Sequence, residues 1–143
     1  MRSVKVLTLE LAKKMVEQAE MEAKRIGVPM VISIVDEGGH LVACHRMDNA
    51  LLVSVELAQN KAWTAVALKM PTHELTPLSV PGAELYGIHT SNNGRVVLFG
   101  GGIPLADGKN VVGAVGVSGG SVQQDIQVAQ AAVQVFAQLE PST

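Results

Sequence analysis

Apolar residues recur along the first half of the chain at two different periods. Leu9, Ala12, Val16, Ala19, Ala23 and Ile26 are spaced 3, 4, 3, 4 and 3 residues apart, which predicts one stripe of an amphipathic helix. Eight charged residues lie between Glu10 and Arg25, mostly off that stripe. This helix shows one face to a core and the other to water. Thr8 can cap its start, and Gly27 followed by Val28-Pro29 stops it. The period then changes. Met30 to Val35 is almost continuously apolar, the pattern of a strand covered on both faces. Asp36-Glu37-Gly38-Gly39 predicts a hairpin, with Leu41 to Met47 as the returning strand. A second helix is predicted from Leu52 to Met70, closed by Pro71. Its small Ala58, Ala62 and Ala65 permit close approach to a neighbour.

Between Thr72 and Asn93 the pattern breaks up around Pro77, Pro81-Gly82 and Ser91-Asn92-Asn93-Gly94, with one short helix expected near Ala83 to Ile88. Arg95 to Phe99 reads as a third strand, and Pro104-Leu105 up to the Asp107-Gly108 turn as a short fourth. Asn110 to Ser118 reads as a fifth. The last helix starts at Ser121, which forms a capping-box pair with Gln124. Val122, Ile126, Ala129, Val133 and Phe136 make one apolar stripe on it; Val128, Ala132, Val135 and Leu139 make a second. Gln123, Gln127, Gln130, Gln134 and Gln138 fill most of what remains. After Lys109 there is no Lys or Arg, and only Asp125 and Glu140 are acidic. An uncharged Gln row can hydrogen-bond across an interface without the desolvation cost of buried ions. The last helix is therefore expected to lie against other protein, part of it another subunit. Hairpin-type connections imply a mostly antiparallel sheet with helices over its faces. No repeat or linker divides the 143 residues into more than one domain.

Composition narrows the function classes. Apolar residues make up 48% and charged ones 17%, which excludes a disordered chain. Asn110 to Gln124 is the longest uncharged stretch, but four glycines interrupt it, so no transmembrane helix is expected. Met1-Arg2-Ser3-Val4-Lys5 leads into the first helix without the apolar run of a signal peptide; a cytoplasmic chain is the expectation. One cysteine, Cys44, excludes an internal disulfide. A net charge of −2 with one Trp, one Tyr and two Phe offers neither the basic patch nor the stacking surface for nucleic acid.

Four histidines are present: His40, His45, His73 and His89. His40 and His45 are an odd number apart on one strand and point to opposite faces, so they do not share a metal. His45 has Leu41, Ala43 and Met47 for company, which suits a haem axial ligand and equally an ordinary half-buried histidine. No spacing matches a protein-ligand metal site, and none is expected. Cys44 has Arg46 on its own face but no base partner, and reads as a small buried thiol. The serines lack a nucleophile elbow. Gly100-Gly101-Gly102 follows a predicted strand, and Gly119-Gly120-Ser121 leaves N–H groups at a helix N-terminus, an anion site for carboxylate or phosphate. Tight turns and close packing explain the same glycines. Lys61 stands alone in a helix rich in Ala, Leu and Val, which makes a specific partner plausible; Asp36, Arg46 and Asp48 mark strand ends. The candidate ligand-binding set is Asp36, Arg46, Lys61, Gly101, Gly102, Gly119, Gly120 and Ser121, with His45 as the candidate haem ligand.

Five segments in order carry a family resemblance: Val35-Asp36-Glu37-Gly38-Gly39-His40-Leu41, Arg46-Met47-Asp48, Lys61-Ala62-Trp63-Thr64-Ala65, Gly101-Gly102-Ile103-Pro104-Leu105, and Gly113-Ala114-Val115-Gly116-Val117-Ser118-Gly119-Gly120 with Gln124-Asp125. Together they resemble the GlcG/HbpS-like family over Leu7 to about Phe136. They look most like the stand-alone form of the domain at the C-terminus of PduO-type corrinoid adenosyltransferases. The resemblance implies an α+β, profilin-like three-layer α-β-α fold with a five-stranded, mostly antiparallel sheet, and homo-oligomers, often octamers. It implies a small-molecule ligand, haem or a corrinoid, in support of a cofactor-dependent catabolic pathway of diol, glycerol or glycolate type. The alternatives are a small-molecule enzyme or carboxylate-binding accessory protein using Lys61, Arg46 and the anion site, or a structural partner of an enzyme of the same pathway.

Overall fold

A computed structural model describes residues 6–139. Met1 to Lys5 and Glu140, on which two of the expectations above fall, lie outside the described residues. Helix α1 spans Leu9–Arg25, and the Thr8 hydroxyl accepts the Leu11 N–H at 3.1 Å. Its buried stripe is Leu11, Ala12, Met15, Val16, Ala19 and Ala23; Leu9, expected inside, is exposed. Strands β1 (Val31–Asp36) and β2 (Leu41–Arg46) form the predicted hairpin. One Asp36 carboxylate oxygen accepts the N–H groups of Gly38 and His40, each at 2.9 Å, and Gly39 takes the left-handed φ of +80° that closes the turn.

Helix α2 (Leu52–Leu68) is followed by the four-residue α3 (Thr72–Leu75) and then by short 3₁₀ turns at Thr76–Leu78, Ile88–Thr90 and Asn92–Gly94. No helix forms over Ala83 to Ile88: Gly82 and Gly87 both adopt positive φ, and the segment between them is a series of turns. Strands β3 (Gly102–Asp107) and β4 (Asn110–Ser118) precede α4 (Val122–Ala137). The sheet is four-stranded, with order β2-β1-β4-β3 and every pair antiparallel.

The expectation of five strands is corrected at Arg95 to Phe99. Val96 and Val97 are buried there, but three of the segment's backbone groups bond side-chain hydroxyls rather than a neighbouring strand. The Thr64 hydroxyl accepts the Val97 N–H at 3.1 Å and donates to the carbonyls of Asn60 and Arg95, at 2.7 and 3.3 Å; Thr76 donates to the Leu98 carbonyl. The apolar run Val96 to Phe99 records packing beside α2, with no ladder formed.

Three layers result. Helices α1 and α4 cover the face carrying Ile32, Ile34, Val115 and Val117. Helix α2 covers the other, with Ala58, Ala62 and Ala65 against Val31, Val35 and Ala114. The alanines permit an unusually close approach. A Cβ on Gly116 would overlap the Ala58 carbonyl and lie 2.6 Å from the Ala62 N. Gly116→Val should therefore cost about 3 kcal/mol or more, since overpacking against backbone cannot relax through a rotamer. Urea unfolding reads this directly, and an unchanged midpoint would mean that α2 does not rest on β4.

Candidate functional site

The unexpected feature of α2 is Lys61, whose side chain is fully buried. It runs from the α2 face round the end of the sheet, where Nζ donates to the Val117 carbonyl and to Asp125 Oδ2, each at 2.9 Å. The Phe99 ring lies 5.0 Å from the ammonium. Asp125, in the first turn of α4, uses its other carboxylate oxygen to accept the Gly120 N–H at 2.8 Å, and the Gly119 N–H adds a further hydrogen bond. Burial pushes the Lys61 pKa down and the Asp125 pKa up, and their mutual attraction opposes both shifts.

The glycines around this pair are matters of space. A Cβ on Gly101, at φ +128°, would come within 2.9 Å of Lys61 Nζ, and one on Gly119 within 2.6 Å of the Pro29 carbonyl. Gly102 donates its N–H to the Thr72 hydroxyl at 3.0 Å. The anion expected at Gly119-Gly120 is the chain's own Asp125 carboxylate. The N–H of Ser121 is likewise taken, by the Gln124 side chain at 2.9 Å, and the Ser121 hydroxyl caps Gln124 in return. Lys61, Gly101, Gly102, Gly119, Gly120 and Ser121 thus gather at one end of the sheet, with Lys61, Gly101 and Gly102 buried, Gly119 and Gly120 half-buried and Ser121 exposed. Asp36 stands apart, at the hairpin, where its backbone hydrogen bonds hold its carboxyl below the ordinary carboxylate range.

A second arrangement lies along the free edge of β2. An open groove of about 600 Å³ is lined by Glu20 and Lys24 of α1 and by Cys44, His45, Arg46, Met47 and Asp48. His45 pairs with Ile32 in the ladder and lies on the α1 side of the sheet, where its Nδ1 meets the Glu20 carboxylate. Nε2 makes no hydrogen bond among the described residues. Lys24 and Arg46 are exposed and make no ion pair among the described residues. The two sulfurs are engaged. Met47 Sδ accepts the Met30 N–H at 3.4 Å, and Cys44, half-buried rather than fully so, accepts from the Ser33 hydroxyl at 3.3 Å. The Glu20–His45 contact was not legible in the sequence, because Glu20 is one of eight charges on an amphipathic helix.

The other histidines lie elsewhere. His40 is exposed beside Asp36, His89 packs edge-on to Tyr86, and His73 buries an Nδ1 without a hydrogen-bond partner. Among the described residues no group of three His, Cys, Asp or Glu side chains could hold a metal ion. No helix among them is long and apolar enough to cross a membrane.

The α-β-α layering and the motifs that close it define a known class. The model for haem degrading protein HbpS-like matches residues 7–134, and the chain belongs to that family. It is 45% identical, over 96% of its length and 97% of the relative's, to an uncharacterised 15.0 kDa protein in the dhaT–dhaS intergenic region of Citrobacter freundii. It is 48% identical to the corrinoid adenosyltransferase PduO of the same organism, over 89% of this chain but only 38% of that enzyme. Among solved structures, that of the PduOC:haem complex superposes with a TM-score of 0.89 at 43% identity, covering 97% of this chain and 99% of that one.

The buried pair yields a stability prediction. Lys61→Met strands the Asp125 carboxylate and should cost about 3–5 kcal/mol. Adding Asp125→Asn should recover a large part of that loss, because no unpaired charge then remains. Losses that simply add in the double variant, measured by urea unfolding, would mean the two groups are not coupled.

Proposed function

We propose that the protein is a cytoplasmic, homo-oligomeric ligand-binding protein that takes haem or a related corrinoid tetrapyrrole in the groove at His45, in support of a cofactor-dependent catabolic pathway of diol, glycerol or glycolate type. The observation that carries this reading is an imidazole with an open Nε2 flanked by two cations unpaired among the described residues. Imidazole is a common axial ligand of haem iron, and Lys24 and Arg46 suit carboxylates such as the propionates. Met47 and Cys44 are engaged in hydrogen bonds, and His45 is the imidazole in the lining of this groove. Bound iron would supply redox and axial-ligand chemistry, while the chain supplies position, charge pairing and polarity. The haem complex of the PduOC relative and the corrinoid enzyme relative support the ligand class.

The carboxylate-binding alternative is weaker. Its lysine is buried with both partners inside the chain, and its glycine N–H groups already hold Asp125. Arg46 and Asp36 do not converge with them. A purely structural partner of a pathway enzyme would show no haem spectrum at all, and the titration below separates it. Added haem should give a shifted Soret band that His45→Ala abolishes and His89→Ala leaves intact. An unaltered spectrum in His45→Ala would remove the assignment.

Self-association through the last helix belongs to the same proposal. Its apolar stripes are partly used within the chain: Val128, Ala129, Ala132 and Phe136 pack with α1 and the sheet. Gln123, Gln127, Gln130, Gln134 and Gln138 remain exposed on the single chain, beside a groove of about 460 Å³ shared with Lys14, Glu17 and Gln18 of α1. Gln130→Glu and Gln134→Lys, made separately, should lower the sedimenting mass at micromolar concentration. Because Glu17 lines the same groove, Glu37→Lys at the hairpin turn is the appropriate control. A wild-type monomer would end the idea.

A further inference from the structure

We propose that Glu20 is a positioning residue for His45, holding the imidazole in the tautomer whose Nε2 is open to an iron centre; this rests on the haem reading above. An ionised carboxylate only accepts hydrogen bonds, so the proton of a neutral His45 sits on Nδ1, facing Glu20. The lone pair is then on Nε2, which has no partner among the described residues. An unattended imidazole on an edge strand would be free to rotate and to exchange tautomers. Glu20 removes both freedoms from a different element, α1, and the contact spans 25 residues of chain. The alternative partner for Glu20 is Lys24, one turn further along α1, yet the carboxylate goes to the histidine and leaves the lysine unpaired among the described residues. The Glu20 side chain is 23% exposed and that of His45 48% exposed, so the carboxylate is the more sheltered partner of the pair. A carboxylate behind the ring also raises the basicity of the coordinating nitrogen, which favours ferric over ferrous iron.

Two readouts test this, one of which needs no haem. Nitrogen NMR of the apo protein should show His45 protonated at Nδ1, and Glu20→Leu should abolish that preference. In the haem-loaded protein, Glu20→Gln should weaken ferric haem binding by about tenfold. If that loss is confined to the ferric state, the midpoint potential rises by about 59 mV for this one-electron couple. Glu20 is on the outer part of α1, so melting temperatures of both variants should stay close to wild type. An unchanged tautomer in Glu20→Leu, or ferric haem bound with unchanged affinity in Glu20→Gln, overturns the proposal and leaves the haem reading standing. A wild-type protein that binds no haem overturns both.

Discussion

The ion pair between Lys61 and Asp125 sets the geometry of one whole end of the molecule. Helices α2 and α4 lie on opposite faces of the sheet, and this pair is a direct polar link between them. Because the ammonium also takes the Val117 carbonyl, the last residues of β4 are fixed in the same step. The neighbouring glycines then follow from space, since side chains at Gly101 or Gly119 would collide with Lys61 or with the entry to β1. A charge pair removed from water is expensive, and its cost is offset only where the remaining hydrogen bonds are also made. Here Gly119 and Gly120 make them, so α2 is penalised for sitting anywhere else on the sheet.

That end of the fold was half legible in the sequence. A lone lysine in a helix of Ala, Leu and Val announces a partner, but the partner is 64 residues away and periodicity carries no information over such a span. The glycines before α4 read equally as an anion site for a carboxylate or phosphate and as tight turns; what the pattern does not say is that their N–H groups are taken by a carboxylate from the fourth residue of the helix itself. Arg95 to Phe99 misleads for a related reason. A short apolar run says that a segment is partly buried, whereas a strand also needs a neighbour's backbone, and here the hydroxyls of Thr64 and Thr76 stand in for it.

The charged face of α1 shows the same limit from the polar side. Read as a helical wheel it is a solvated surface, and Lys13, Lys14 and Glu17 are indeed exposed. Two of its acids nevertheless have specific partners in other elements. Glu22 holds Arg25 through two contacts of 2.7 Å and accepts from Gln127 of α4, which together keep its pKa at about 2. Glu20, half a turn away, reaches β2 instead. One helix thus pins α4 on one side and the candidate haem ligand on the other, and the groove exists because α1 lies alongside the free edge of β2. An edge strand is where a sheet can present side chains to a ligand without first opening its own ladder.

Low charge and exposed apolar area are different properties, and the two outer helices separate them. Helix α4 is nearly uncharged, but much of its apolar surface is satisfied by α1 and the sheet, so what it shows outward is mainly amide. Helix α2 has its alanines inside and leaves Leu51, Leu52 and Val53 in the open, with Glu56 beside them in a shallow groove. Removing apolar area from water contributes about 25 cal/mol per Å², whereas an amide row exchanges hydrogen bonds with water for hydrogen bonds with protein at little net gain. On the single chain the larger exposed apolar area therefore lies at the start of α2, on the opposite face of the sheet from α4. The Gln row of α4 would decide which arrangements are permitted, since amides left unpaired in a closed interface carry the full penalty of desolvation.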